Sequence, residues 1–156
     1  MQLSGLIRGE LRPSVVSVEG IASDANLDAI RSRCFLRTLE SPILDKETWF
    51  AELAREFDFP DYFGKNWDAV TDCLSDLNWL GRPPARIVLL WKQPMTLFEA
   101  HPEDFFTALA VLNHGVIDRW WSRSVLFYVL LQDPNRELVL RALPRLDLDI
   151  PNPGFR

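Results

Sequence analysis

Three short stretches of the chain are almost continuously apolar: Cys34 to Glu40 (CFLRTLE), Arg86 to Trp91 (RIVLLW) and Ser124 to Gln132 (SVLFYVLLQ). Each has strand length and is rich in branched or aromatic residues, so each predicts a β-strand. Between them the apolar positions recur every three or four residues, the spacing of a helix face. Asp45 is suited to cap a helix over Lys46 to Phe57 that sets Trp49, Phe50, Leu53 and Phe57 on one side. Pro94 opens a short helix. His101-Pro102-Glu103-Asp104 starts another, with proline at its first position and acids in its first turn. That helix carries Phe105, Phe106, Leu109 and Leu112; it is expected to span Pro102 to Asn113 and to stop near Gly115. Val116 to Arg123 then reads as a connection. Ser14 to Val18 gives a weaker strand signal and Asn26 to Arg33 a weaker helix signal.

The order strand, helices, strand, helices, strand implies parallel pairing through right-handed crossovers. Strands this apolar are covered by helices on at least one face. The predicted class is an α/β layer fold with a small parallel sheet of three strands packed by helices.

One stretch carries more pattern than packing requires. Phe59 to Leu80 reads FPDYFGKNWDAVTDCLSDLNWL, a turn that becomes a helix before Gly81-Arg82-Pro83-Pro84 stops it. Pro60 biases Phe59 away from the helical region, Gly64 suits a turn that needs positive φ, and Asn66 can cap a helix from Trp67. At about 100° per residue, Val70, Cys73, Leu74 and Leu77 share one side. Asp68, Asp72 and Asp76 share the other, one i,i+4 step apart. If the helix runs to Leu80, Trp79 lands about 20° from Asp68, so Tyr62, Trp67 and Trp79 border a row of three carboxylates. An acidic helix face is often only solvated. Aspartate is a mediocre helix former, however, and Tyr and Trp are favoured interface anchors, so the pattern also fits a contact surface.

Composition narrows the classes. With 156 residues, 47% hydrophobic and 25% charged, the chain suits one ordinary globular domain. A net charge of −5 argues against general nucleic-acid binding. The acidity is concentrated: Asp45 to Asn78 holds nine acids and three bases, −6, leaving 13 acids and 14 bases, +1, elsewhere. A basic partner is the simple implication. Two cysteines, Cys34 and Cys73, make no disulfide framework; both read as reduced and the compartment as cytoplasmic. The start lacks the apolar run of a signal peptide, and Val125 to Leu131 is too short to span a bilayer.

Catalysis is not expected. His101 and His114 are the only histidines, neither in a metal-ligand spacing, and each reads as structural or surface. Cys73 faces the predicted core, against a Cys–His nucleophile. There is no glycine-rich phosphate loop, and one helix face offers too few oxygens for calcium. The chain is read as a non-enzyme without metal or cofactor.

The run Phe59-Pro60-Asp61-Tyr62-Phe63-Gly64-Lys65-Asn66-Trp67-Asp68-Ala69-Val70-Thr71-Asp72-Cys73-Leu74 resembles the barstar family of ribonuclease inhibitors. The family pattern is an aromatic or leucine, Pro, an acid, Tyr, an aromatic, Gly, a charged residue, Asn, a bulky apolar residue, Asp, Ala, an apolar residue, one variable residue and Asp-Cys-Leu. With coarser agreement on either side, the resemblance covers about Cys34 to Leu131. It divides the chain into an N-terminal extension packed on or beside the domain (1–33), a barstar-like domain (34–131) and a C-terminal extension (132–156). In the last, Leu138 to Leu143 reads as one short element and the final six residues as disordered.

The resemblance implies three parallel strands packed by helices and an intracellular inhibitor, an antitoxin or immunity protein. It would act as a monomer in a 1:1 heterodimer with a basic ribonuclease or nuclease toxin, without nucleic acid or membrane. A ribonuclease lines its site with Arg and Lys because phosphates dominate its affinity for RNA. Carboxylates at fixed spacing can mimic those phosphates. The implied docking residues are Tyr62, Gly64, Asn66, Trp67, Asp68, Thr71, Asp72, Asp76 and Trp79. Three departures bear on the target: Thr71 replaces an aromatic residue of the best-known member, the third helix has acids only at its start where family inhibitors also use a later one, and both extensions lack counterparts. The alternative is an interaction or regulatory domain that keeps the fold and binds something other than a nuclease.

Overall fold

The computed structural model describes residues 3–20 and 24–142. Strands β1 (Val15–Val18), β2 (Phe35–Leu39), β3 (Arg86–Trp91) and β4 (Leu126–Gln132) form one parallel sheet in the order β1-β4-β3-β2. The α/β class is as expected, but the sheet has a fourth strand. β1 pairs with β4, Val15 standing opposite Val129.

The central strands are continuously apolar because both of their faces are covered. Ile87, Leu89 and Trp91 from β3 join Phe127, Val129 and Leu131 from β4 in one core; Val88, Leu90, Tyr128 and Leu130 join the other. The larger core lies under α3 (Lys46–Glu56), α4 (Trp67–Asp76), α5 (Pro94–Ala100) and α6 (Pro102–Ala110). α3 begins where expected: the Asp45 carboxylate accepts the Thr48 backbone N–H at 2.7 Å. Trp49, Phe50 and Leu53 are its buried side.

The smaller core lies under α1 (Leu3–Ile7) and α2 (Asp24–Arg31), which contribute Leu6, Leu27 and Ile30. The N-terminal segment is therefore built into the sheet and its second face. Arg86 fastens it by donating to the carbonyl oxygens of Ile7 and, at 3.0 Å, Arg8. Gly9 adopts φ +72°, and a Cβ there would stand 2.7 Å from Arg86 Nε. The Tyr128 hydroxyl donates to the Leu11 carbonyl, and burial pushes this phenol up to about 12.

At the other end, the buried Asp133 carboxylate accepts the Leu138 and Val139 backbone N–H groups and the Ser17 hydroxyl. It thereby ties β1 to α8 (Glu137–Arg141), the short element expected over Leu138 to Leu143. The disorder expected of the final six residues lies outside the described residues.

The largest departure follows α6. The helix does not stop near Gly115 but continues as a π-helical segment, Val111–Ile117, and then as α7 (Asp118–Ser122). Tertiary burial overrides the local stop signal: Val116, Ile117 and Trp120 are buried in the larger core. Glycine serves close packing here. A Cβ at Gly115 would lie 2.9 Å from Thr71 Cγ2 on α4. π segments of this kind are rare and occur mostly as insertions in α-helices.

Candidate partner-docking site

α4 is set by its ends. The Asn66 side chain accepts the Ala69 N–H at 2.8 Å, with Asn66 itself extended (φ −143°), so the cap is the expected one. The turn before it is built differently from expectation. Lys65, not Gly64, takes the left-handed conformation, with φ 52°. Gly64 instead offers its carbonyl to Asn66 Nδ2 at 3.3 Å, and a Cβ there would come within 3.3 Å of the same atom.

Along α4, Val70, Cys73 and Leu74 are buried and Asp68, Asp72 and Asp76 are exposed. The predicted two faces are thus present. Asp68 lies in the first turn, where the helix dipole favours a negative charge. Tyr62, four residues before Asn66 on the preceding turn, presents a large ring that is 71% exposed. Burial, and then the neighbouring Asp72 and Asp76, push the Cys73 thiol up from its ordinary value. Both cysteines are free and buried.

Two of the expected aromatic borders turn inward. Trp67 is half-buried, its ring 4.9 Å edge-on from Phe50 and 5.6 Å from Trp49. Trp79 does not reach the row, because α4 ends at Asp76 and Leu77 is left-handed (φ 53°). The chain then makes a 3₁₀ turn, Asn78–Leu80, in which Trp79 packs against Phe59 and donates its indole N–H to the Phe57 carbonyl at 2.8 Å. Thr71 is half-buried against Gly115, and its hydroxyl donates back to the Trp67 carbonyl at 3.2 Å.

α7, the stretch that sequence reading made a connection, completes the site. Trp120 Nε1 donates to the Leu74 carbonyl at 2.7 Å, and Arg123 donates to the Ser75 carbonyl while lying 4.0 Å over the Trp120 ring. These donors satisfy carbonyls that the end of α4 leaves without intrahelical partners. Arg119 forms an ion pair with Asp72 at 3.1 Å. Asp72 therefore has an ion-pair partner within its own chain, whereas neither Asp68 nor Asp76 has one among the described residues. The pairing leaves an open cleft of about 390 Å³ lined by Asp72, Ser75, Asp76, Arg119, Ser122 and Arg123. The same segment carries Asp118, exposed, so acids in this helical run are not confined to its start. The missed signal was the spacing of Val116, Ile117 and Trp120, which fits a helix face. His114 lies within the π segment, exposed, and His101 is exposed just before α6.

A parallel α/β layer with a row of carboxylates on an outward helix face defines a small domain whose candidate site is a surface for another molecule. The sequence model of the family described as Barstar (barnase inhibitor) matches residues 35–132, and the chain belongs to the barstar family. The match runs from β2 to β4 and leaves α1, β1, α2 and α8 outside it. Comparison with curated proteins returns no match. Among the described residues no helix is long and apolar enough to cross a membrane, and no group of three His, Cys, Asp or Glu could hold a metal ion.

Proposed function

We propose that this chain is an inhibitor of a ribonuclease, docking α4 and the turn before it into the enzyme's basic RNA site. The observation that carries the reading is the exposed row Asp68, Asp72, Asp76 on a helix whose opposite side is locked into the core. Asp68 and Asp72 stand in for RNA phosphates as charge-assisted partners of the enzyme's cations. Tyr62 supplies an exposed ring at the edge of the contact, with Asn66 and Gly64 shaping the turn. Within this reading the protein acts as a cytoplasmic antitoxin or immunity protein, one inhibitor to one nuclease, and carries out no chemistry of its own.

Barnase, the enzyme named in the family's description, is the first probe. Asp72→Ala should weaken inhibition of RNA cleavage by between tens and thousands of fold, the range expected when a buried cation loses its partner. Asp72 is 73% exposed in the free protein, so the melting temperature should stay nearly unchanged. Asp76→Ala, at the far end of α4, should do much less. Association should also slow steeply as salt rises, because exposed charges are screened over about 8 Å at physiological ionic strength. Full inhibition by Asp72→Ala, with an on-rate indifferent to salt, refutes the reading.

One observation favours the second reading, an interaction domain that binds something other than a nuclease. Arg119 and Arg123 line one cleft with Asp72 and Asp76, so two of the row's carboxylates share it with two guanidinium groups. A partner of mixed charge would then fit better than a basic one.

A further inference from the structure

Arg119 sits where a partner's cation would have to sit. Its guanidinium reaches Asp72 at 3.1 Å from α7, an element 47 residues further along the chain. Both side chains are largely exposed, 51% for Arg119 and 73% for Asp72, so the pair is of the weak surface kind. It is nevertheless held in place: Trp120 and Arg123 anchor α7 to the carbonyls that end α4, and Gly115 packs against Thr71 one turn earlier. The cleft beside the pair also contains an unmet polar group. Ser75 is 5% exposed, its hydroxyl oxygen has no hydrogen-bond partner, and it lies among the lining residues.

We propose that Arg119 is a specificity determinant of the docking face: it occupies Asp72 in the free protein, and a partner's cation must displace it to dock there. The proposal deepens the inhibitor reading and rests on it. A nuclease that offers only cations loses the Arg119–Asp72 contact and gains a like charge beside its own. A nuclease whose surface also offers an acceptor to the freed guanidinium avoids that cost. Discrimination between partners therefore comes from a repulsive element built into the face.

The test is a double-mutant cycle on the full chain with barnase as the probe. Binding is measured by titration calorimetry for wild type, Arg119→Ala, Asp72→Ala and the double variant. Arg119→Ala should bind about three- to tenfold more tightly than wild type, the scale of one exposed ion pair. In the Asp72→Ala background the same change should have little effect, because Arg119 acts through Asp72. Arg119→Lys, which keeps the charge, should bind like wild type. An equal gain in both backgrounds would mean that Arg119 acts only through the overall field, and would overturn the proposal. So would unchanged, weaker or undetectable binding by Arg119→Ala. If Asp72→Ala weakens binding while Arg119→Ala changes nothing, the gate fails and the inhibitor reading stands. If Asp72→Ala binds as wild type does, the inhibitor reading fails first.

Discussion

Gly115 in the π segment packs closely on Thr71 of α4, and adding one methyl group there tests the placement of both. An ideal Cβ on residue 115 would lie 2.9 Å from Thr71 Cγ2 and 3.3 Å from its Oγ1. Thr71 cannot turn away freely, because its hydroxyl is bonded to the Trp67 carbonyl at 3.2 Å. Two effects oppose each other in Gly115→Ala. Alanine is better than glycine in a helix interior by about 0.8–1.0 kcal/mol. Forcing a methyl group into filled space costs about 1–3 kcal/mol. The net change is a loss of up to about 2 kcal/mol. In a Thr71→Ala background the nearest remaining atom of residue 71 is Cβ, 3.7 Å from the new methyl group, an ordinary contact. There Gly115→Ala should stabilise the protein by up to about 1 kcal/mol. The two sites should thus couple by about 1–3 kcal/mol, well above the roughly 0.3–0.5 kcal/mol scatter of independent positions. Urea unfolding of the four proteins, compared at a common m-value, measures it. Additivity within that scatter, or a full propensity gain in the wild-type background, would show that Gly115 does not pack on Thr71.

Two further expectations concern buried titratable groups. Cys34 and Cys73 are 8% and 5% exposed and burial raises both thiols, so both should label slowly with thiol reagents in the folded protein; rapid labelling of Cys73 would reverse the faces of α4. Tyr128 ionises at about 12 in the fold against about 10 unfolded, so the folded state holds its proton longer and stability should fall as pH rises from about 10 to 12. In a Tyr62→Phe variant, where Tyr128 is the only tyrosine, phenolate absorbance should appear near pH 12 or with unfolding; its appearance near pH 10 in intact protein would place Tyr128 in water.

What could be read in the sequence was what local chemistry decides. Asp45 and Asn66 cap their helices because their side chains reach the backbone three residues on, an interaction contained in the motif itself. β3 and β4 were legible because burial of both faces leaves no polar position to blur the run. The exposed carboxylate row of α4 was legible because its spacing is internal to one helix. What failed depended on partners distant in the chain. Gly115 is a stop signal taken alone and a packing site once Thr71 is beside it. Leu77, not a glycine, takes the left-handed conformation that ends α4, so nothing marked the end before Trp79. β1 is four residues long with a polar Ser17, which is buried because Asp133, 116 residues away, accepts its hydroxyl. The Arg119–Asp72 pair leaves no trace in local spacing.

The place of β1 in the sheet has a consequence for how the molecule comes into being. Among the described residues its one partner strand is β4, the last of the four described strands. During synthesis at roughly 5–20 residues per second, Val16 and Val18 wait on the order of ten seconds before that partner exists. Throughout the wait their apolar side chains, and those of Leu27 and Ile30 on α2, have no finished sheet to cover. β2, β3 and β4 pair over shorter separations and can assemble first, since closing a longer loop is slower. The segment outside the family match is thus made early and seated late, and the nascent chain is most exposed to aggregation or to a chaperone in the interval between the two.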